Sequence, residues 1–592
     1  QISYIDELVY VHFLPINICE CYIELKSVKW YFRVFPHPPI TLIPATSDGH
    51  YSLRHGFTVE SAPQTPPTPR WNYSLKLKGE LHVPRADYTE PYQMWYNEKT
   101  GASRIDFHDE GARTYRMIHP DGRVQRVAMR IDRLGESNIP ECHVAPPEHM
   151  SQEELYTPGL PDMSEYHFNG KTWTPISCAR ANAHYAFSLV TFVYSYSVKV
   201  DSSMLGPGCD EYQHRYHEVK DHDDDPSIFD FNIEKECGRL KQADPSNLED
   251  LAHLEPLREF TLPTRDERYD QEFQEQFQRQ YADDVESAIR TNLFVQSSRF
   301  VTSGNRQSAT FELEVNFLGD RLQAEIQQLL GVNVEEAFLG NPTSQEDFPH
   351  PETAVRRLAR KLPKKFDWRP RGAVTDVKWQ GSCASCWAFA VAGAVEGALY
   401  VKRKVLVPLS EQCLVDCGHP FGTHGCGGTW PQFAYDYVKE RGLPASEEYG
   451  PYKEKVDSCH ERQTTPVTHI SAYVNVTQRS VPALQVAIRR HSPSVVIIDA
   501  TAKSFIHYKR GVLYDDRCGK TLRKLNHAVV AVGWGEHRKT THFILKNSWS
   551  AAWGEAGYIR VQGPANTCGV LEQPSYPRLE ESDIVTQAGR NQ

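Results

Sequence analysis

Leu75, Leu77, Leu81 and Val83 alternate with polar residues about Gly79, a period of two that predicts a strand with one buried face. Residues 93–96, 103–107 beyond a turn at Gly101, and 124–131 beyond a turn at Asp121 and Gly122 extend the pattern. The run 187–200, rich in Val, Phe, Tyr and Thr, favours strand over helix. Residues 70–240 therefore read as one antiparallel β domain. Ahead of it, 1–60 show no steady period and Pro63, Pro66, Pro67 and Pro69 make a stiff linker, so 1–69 stay unassigned. Near 264 the period changes. Tyr269, Phe273, Phe277 and Tyr281 recur every four residues behind a cap at Thr264, and a second helix is predicted from about Asp284. Its residues Glu286, Arg290, Phe294, Ser297, Val301 and Asn305 form one stripe, which taken alone means a packed helix. Eight basic residues between 356 and 371 mark an exposed connector.

A length of 592 residues predicts three or four folding units, and 40% hydrophobic with 24% charged residues is a globular composition. The net charge of −11 argues against nucleic acid as a partner, and no apolar run reaches the length of a membrane span. No signal peptide is legible behind Gln1, since Asp6, Glu7, Glu20 and Glu24 crowd the first thirty residues. Fourteen cysteines suit an oxidising compartment, and sequons at Asn72 and Asn475 agree with one. His214, His217 and His222 stand among five acidic residues, but no i, i+4 histidine pair falls on a predicted helix. That stretch reads as a solvated loop. No metal and no other cofactor is expected.

The chemistry concentrates downstream. Gln380-Gly-Ser-Cys-Ala-Ser-Cys386-Trp-Ala-Phe opens an Ala-rich helix running to about Tyr400, which puts Cys386 at a helix amino terminus, where free N–H groups favour thiolate. A base is available 141 residues on, at His527. Asn547, twenty residues later, can hold the imidazole while Trp549 shields that bond. Each residue alone has a bland reading as core or structural. Their joint spacing does not.

From Leu362 to about Pro577 the sequence resembles papain and the cathepsins. The resemblance implies an α+β, two-lobed peptidase at 362–577, with Cys386 as nucleophile, His527 as general acid and base, Asn547 as orienter and Gln380 as oxyanion donor. It also implies the pairs Cys383–Cys426, Cys417–Cys459 and Cys518–Cys568, leaving Cys413 as a buried thiol. The stripe 286–305, with Asn316, Leu318 and Asp320, resembles the inhibitory propeptide of the cathepsin L type, here at 264–330, followed by a connector with the activation site at 331–361. The long extension, with 92–107, the histidine-rich stretch near 214, and Glu447 to Tyr452, resembles invertebrate haemocyte-type cysteine proteinases. Its β domain is expected to be LolA-like, a half-open barrel, and 578–592 a polar tail. The resemblance implies a monomeric cysteine endopeptidase made as a zymogen, lysosomal or extracellular. Its partners are protein or peptide substrates and its own propeptide, with the β domain retained after processing or not.

Some positions depart from the family. Of the glycines after Cys426, Gly428 is kept but Thr429 stands where the second binds substrate backbone, so crowding or a positive φ is expected there. Ala384 and Ser550 also replace glycines, and Gln573 falls at the floor of the second subsite. The alternatives are a weakened homologue acting as a binding or scaffold protein, and a dipeptidyl peptidase. No room exists between 435 and 459 for the occluding loop of a carboxydipeptidase.

Overall fold

The computed structural model describes residues 74–149 save 85 and 109, 225–257, 265–307, 309–335 and 343–585, with the backbone of strands within 2–34 and 166–221. The Pro-rich linker, Asn72, Thr264, His222 and the end of the tail lie outside these residues, and the stretch from His214, expected as a solvated loop, is instead strand over 214–221, where it pairs with two neighbouring strands. His217 is described, and its ring faces Glu80 at 3.6 Å.

The alternating run does form a strand. β1 (Leu75–Val83) buries every second residue and pairs in antiparallel register with β2 (Tyr88–Tyr96), Leu75 opposite Tyr96. A meander continues through β3 (Ser103–Phe107), β4 (Ala112–Ile118), β5 (Val124–Asp132) and β6 (Ile139–Val144). Gly101 and Gly122 turn the chain with φ of 79° and 81°. The run 187–200, expected as strand, divides between β7 (Ala181–Ser188) and β8 (Val193–Val200), which pair with each other. With β9 (Asp210–Asp221) and β10 (Arg239–Gln242) the sheet order is β7-β8-β9-β1-β2-β3-β4-β5-β6-β10. A disulfide that sequence spacing did not reveal, Cys142–Cys237, ties β6 to the chain entering β10.

The middle segment is helical as its period requires. α1 (Arg265–Gln276) packs Phe273 against Phe294 of α2 (Asp284–Arg306), ring centroids 4.7 Å apart. Asp283 caps α2 by accepting from the Glu286 N–H at 2.8 Å. The stripe then explains itself. Arg290 donates to Glu286, to the Asp320 carbonyl and, at 2.5 and 3.0 Å, to Glu325, while Ser297 donates to the Gly319 carbonyl. Asn305 exchanges two bonds with Leu313 of β11 (Phe311–Leu313).

Burial pushes the Glu325 carboxyl up, but the Arg290 guanidinium outweighs it and holds it below the usual range. Its contribution to stability is therefore full above about pH 4.5 and is lost as pH falls through the depressed value. Arg290→Ala is expected to cost about 1.5–3 kcal/mol at pH 7 and to flatten the loss between pH 5 and 3. Melting curves of the middle segment at both pH values check this, and an unchanged acid dependence contradicts it.

The carboxy-terminal domain has two cores. One surrounds α4 (Cys386–Arg403), whose small residues allow close approach; a Cβ on Gly397 would meet Pro493 at 2.5 Å. The other gathers Trp534, Trp549, Trp553 and Phe505 on a twisted sheet. Its strands are β13 (Ala472–Asn475), β14 (Ser494–Ile498), β15 (Tyr508–Leu513), β16 (His527–His537), β17 (Thr540–Lys546), β18 (Tyr558–Gln562) and β19 (Ser575–Arg578). The sheet order is β11-β15-β18-β17-β16-β14-β19-β13-β12, where β12 (Gln345–Asp347) comes from the connector. Both edges are thus closed by strands from upstream of Leu362. The connector is also more ordered than its charge suggests. α3 (Glu352–Ala359) buries Val355 in the same apolar cluster as Ala483 and Ala487 of α5 (Val481–Arg490).

Candidate active site

Cys386 is the first residue of α4, fully buried in the cleft between the two cores. It is a free thiol, as is Cys413, whose sulfur lies 3.2 Å from the Tyr437 hydroxyl. Disulfides join Cys383 to Cys426, Cys417 to Cys459 and Cys518 to Cys568. The first of these ties the loop ahead of Cys386 to the loop that carries Gly428 and Thr429.

His527 opens β16 from the other side of the cleft, its register set by Ile498 of β14. Its Nε2 meets Asn547 Oδ1 at 2.8 Å, and that oxygen also accepts from the Ser548 N–H. Trp549 lies against the pair, its ring 5.0 Å from the imidazole, and Phe505 and Trp553 pack behind it. A dry aromatic wall of this kind strengthens the His527–Asn547 bond. Gln380 is held just as firmly. Its Oε1 accepts from Ser548 Oγ at 2.6 Å, its N–H donates to the Ser548 carbonyl, and its Nε2 donates to the carbonyls of Cys383 and Leu329.

The middle segment fills this cleft. The Gly331 N–H points at Cys386 Sγ at 3.3 Å, the Gly331 carbonyl accepts from the Thr429 N–H at 2.9 Å, and Val332 donates to the Asn526 carbonyl. The segment thus occupies the space beside the sulfur that a substrate would need. Gly331 is required by contact, because a Cβ would lie 2.0 Å from the Ala384 carbonyl oxygen. The occluding stretch thus reaches past residue 330, the expected end of the helical unit.

Thr429 departs from expectation. Gly428 takes the positive φ, 83°, and a Cβ there would meet the Gly331 oxygen at 2.8 Å. Thr429 is fully buried, and its hydroxyl donates to the Gly422 carbonyl. Its side chain is absorbed by the wall, while its N–H stays available to the cleft. Gln573 is half-buried beside Glu572, whose carboxylate is taken by Arg479 and Asn566.

Burial pushes the Cys386 thiol up to about 11, and burial pulls His527 down to about 4 against the opposing effect of Asn547. With the segment in place both groups are neutral over most of the pH range. Beneath them lies a charge cluster that sequence reasoning did not single out. Lys378 donates to Glu411 at 2.6 Å, and Thr375 links Lys546 to Glu396 with bonds of 2.8 and 2.6 Å. A cluster formed across 171 residues leaves no local signal.

Among the described residues the one group with metal-like spacing is Cys417, Cys459 and Glu461, and its two sulfurs are already bonded to each other. No described helix is long and apolar enough to cross a membrane.

The profile described as papain family cysteine protease matches residues 362–578, and that of the cathepsin propeptide inhibitor domain (I29) matches 271–326. Digestive cysteine proteinase 2 of Homarus americanus is 36% identical over 310 residues, which is 52% of this chain and 93% of that protein. Procathepsin L of Mus musculus is 36% identical over 272 residues, 45% of this chain and 78% of that protein. Among solved structures, digestive procathepsin L 3 of the Tenebrio molitor larval midgut aligns with a TM-score of 0.46 and 30% identity, covering 53% of this chain and all of that one.

Proposed function

Because this chain belongs to the papain family of cysteine proteases, we propose that it hydrolyses internal peptide bonds with Cys386 as nucleophile, His527 as general acid and base, Asn547 as orienter and Gln380 as oxyanion donor. It is a cysteine-type peptidase that carries its own inhibitor domain, and so a zymogen. The observation that carries the residue roles is the geometry around His527. Asn547 takes Nε2 at 2.8 Å, so the second ring nitrogen is the one left to exchange a proton with a neighbour such as Cys386.

In this mechanism the prosegment leaves and water enters the cleft, which removes the burial that kept both groups neutral. The helix amino terminus and the imidazolium then favour the thiolate. The sulfur adds to the substrate carbonyl, and the oxygen that becomes negative is received by Gln380 Nε2 and the Cys386 N–H. His527 gives its proton to the leaving amine, then takes one from the water that opens the acyl-enzyme. Thr429 N–H, which now holds the Gly331 carbonyl, is placed to hold a substrate carbonyl in the same way.

Endopeptidase action is supported by where the β domain touches the protease. Lys503 donates to the Ala86 carbonyl, and Arg538 to the Gly135 carbonyl and the Glu136 carboxylate, contacts that involve neither Thr429 nor Cys386. The buried Thr429 side chain also weakens the case for a scaffold protein. Four disulfides among the described residues and the digestive and cathepsin relatives fit a secretory or lysosomal setting.

The acid-processed chain is expected to cut amino-blocked peptides, and Gln380→Ala is expected to lower kcat by about 10²–10³-fold with little change in KM. Turnover of free-amine dipeptide substrates alone would assign a dipeptidyl peptidase instead. No turnover by a folded enzyme that still reacts with an epoxysuccinyl probe would favour the scaffold.

A further inference from the structure

The β sheet and α2 share one apolar core. Leu75, Leu77, Met94 and Phe107 of the sheet belong to the same cluster as Phe300 and Val301 of the helix. Leu313, just beyond α2, joins them. At the centre of this contact Arg306 places Nε and Nη2 on Glu90 at 2.5 and 2.6 Å, two side chains 216 residues apart in sequence. Glu90 is fully buried and Arg306 is 6% exposed, while His108 stands 3.4 Å from the same carboxylate. A half-open sheet with an apolar face needs a cover, and here the cover is part of the inhibitor.

An ordinary amphipathic helix leaves one side to water. α2 does not. Its first half turns Arg290 and Ser297 to the loop at 319–325, and its last turns bury Phe300, Ser303 and Arg306. Apolar burial supplies most of the attraction. The ion pair adds register, because a carboxylate and a guanidinium out of water are costly to leave unpaired.

We propose that the apolar face of the β domain is a binding site for an amphipathic helix, that its occupant is α2, and that β domain and prosegment act as one inhibitory unit after the connector is cut. The proposal rests on the protease reading above, but its first readout does not. Removal of the connector alone then leaves the cleft covered, since the prosegment is held from behind as well as by the cleft. Burial would raise the Glu90 carboxyl, but Arg306 holds it down at about 2. The grip on α2 is accordingly kept until acidification approaches that value.

The test uses the full chain with sites for a sequence-specific viral protease placed at 258–264 and 336–342, both cut at pH 6.5. Size-exclusion chromatography followed by mass spectrometry, after the protease is held on a resin through a carboxy-terminal affinity tag and the prosegment is released from its cleft by a wash at pH 4, should find the fragment 265–335 with the β domain. Activity on a blocked peptide after dilution should appear at least tenfold faster for the double variant Glu90→Gln/Arg306→Gln than for the parent. A fragment that elutes free of the β domain, or equal rates in parent and variant, overturns the proposal. Because the co-elution needs no substituted residue, a variant that fails to fold does not protect the idea. Complete digestion of the prosegment serves as the control. If no activity appears then, the protease reading has failed, and the co-elution result still stands for or against the helix site.

Discussion

Cys386→Ala is expected to lower peptide hydrolysis by about 10⁵–10⁶-fold while leaving the fold and the prosegment contact intact, the scale seen when a protease loses its nucleophile. The argument is structural. In the proposed mechanism Cys386 contributes one atom to chemistry, and that atom accepts from backbone N–H groups, those of Gly331 and Ala528 at 3.3 and 3.5 Å among them. Alanine keeps the helix start and the small volume. Without the sulfur, His527 has no attacking group to charge, and Gln380 stabilises an oxyanion that forms only by slow attack of water. The measurement is turnover of a blocked peptide by equal amounts of folded, processed enzyme. Hydrolysis within tenfold of the parent would remove Cys386 from the mechanism.

The second large effect concerns the thiol itself. In the zymogen its pKa of about 11 leaves a thiolate fraction near 10⁻⁵ at pH 6. A cysteine freed at a helix amino terminus beside an imidazolium falls to roughly 3–7.5, so the thiolate fraction at pH 6 rises to between about 3% and nearly all. Intrinsic nucleophilicity falls at the same time, with a Brønsted slope of about 0.4–0.5, and takes back two to three of those decades. The net expectation is that removing the prosegment speeds iodoacetamide alkylation of Cys386 by about 10²–10³-fold at pH 6. Peptide mapping of the labelled cysteine measures it, with buried Cys413, pushed up to about 12, as the internal control. Equal labelling of Cys386 in both forms would mean that the prosegment does not tune the nucleophile.

Much of this molecule is legible in its residues, for reasons that differ by region. Strand β1 declares itself because one of its faces is buried and the other wet, and the helix from Cys386 because alanines and a loop of small residues precede any competing signal. The stripe 286–305 is visible as a period, but not what it binds. Arg290 finds its partner 35 residues away, and Arg306 finds Glu90 at 216. Cys142 and Cys237 are hidden for the same reason, since a separation of 95 residues is compatible with many pairings. Thr429 misleads because sequence cannot say which of two neighbouring residues carries the positive φ. The basic run after 356 masks α3, where the single buried face of Val355 suffices to dock the helix.

Activation also changes the outline of the sheet. While the chain is whole, β11 covers β15 and β12 covers β13. Once upstream strands depart, two rows of backbone donors and acceptors face solvent, the arrangement from which proteins stack edge to edge. The β15 edge carries Lys509 and Arg510, now matched by Glu312 and left as repelling positive charge afterwards. The β13 edge, Ala472–Asn475, has no charge of its own, and its last residue is the sequon asparagine. A glycan on Asn475 would shield that row, so the mature enzyme without sugar is the form that should cluster on storage.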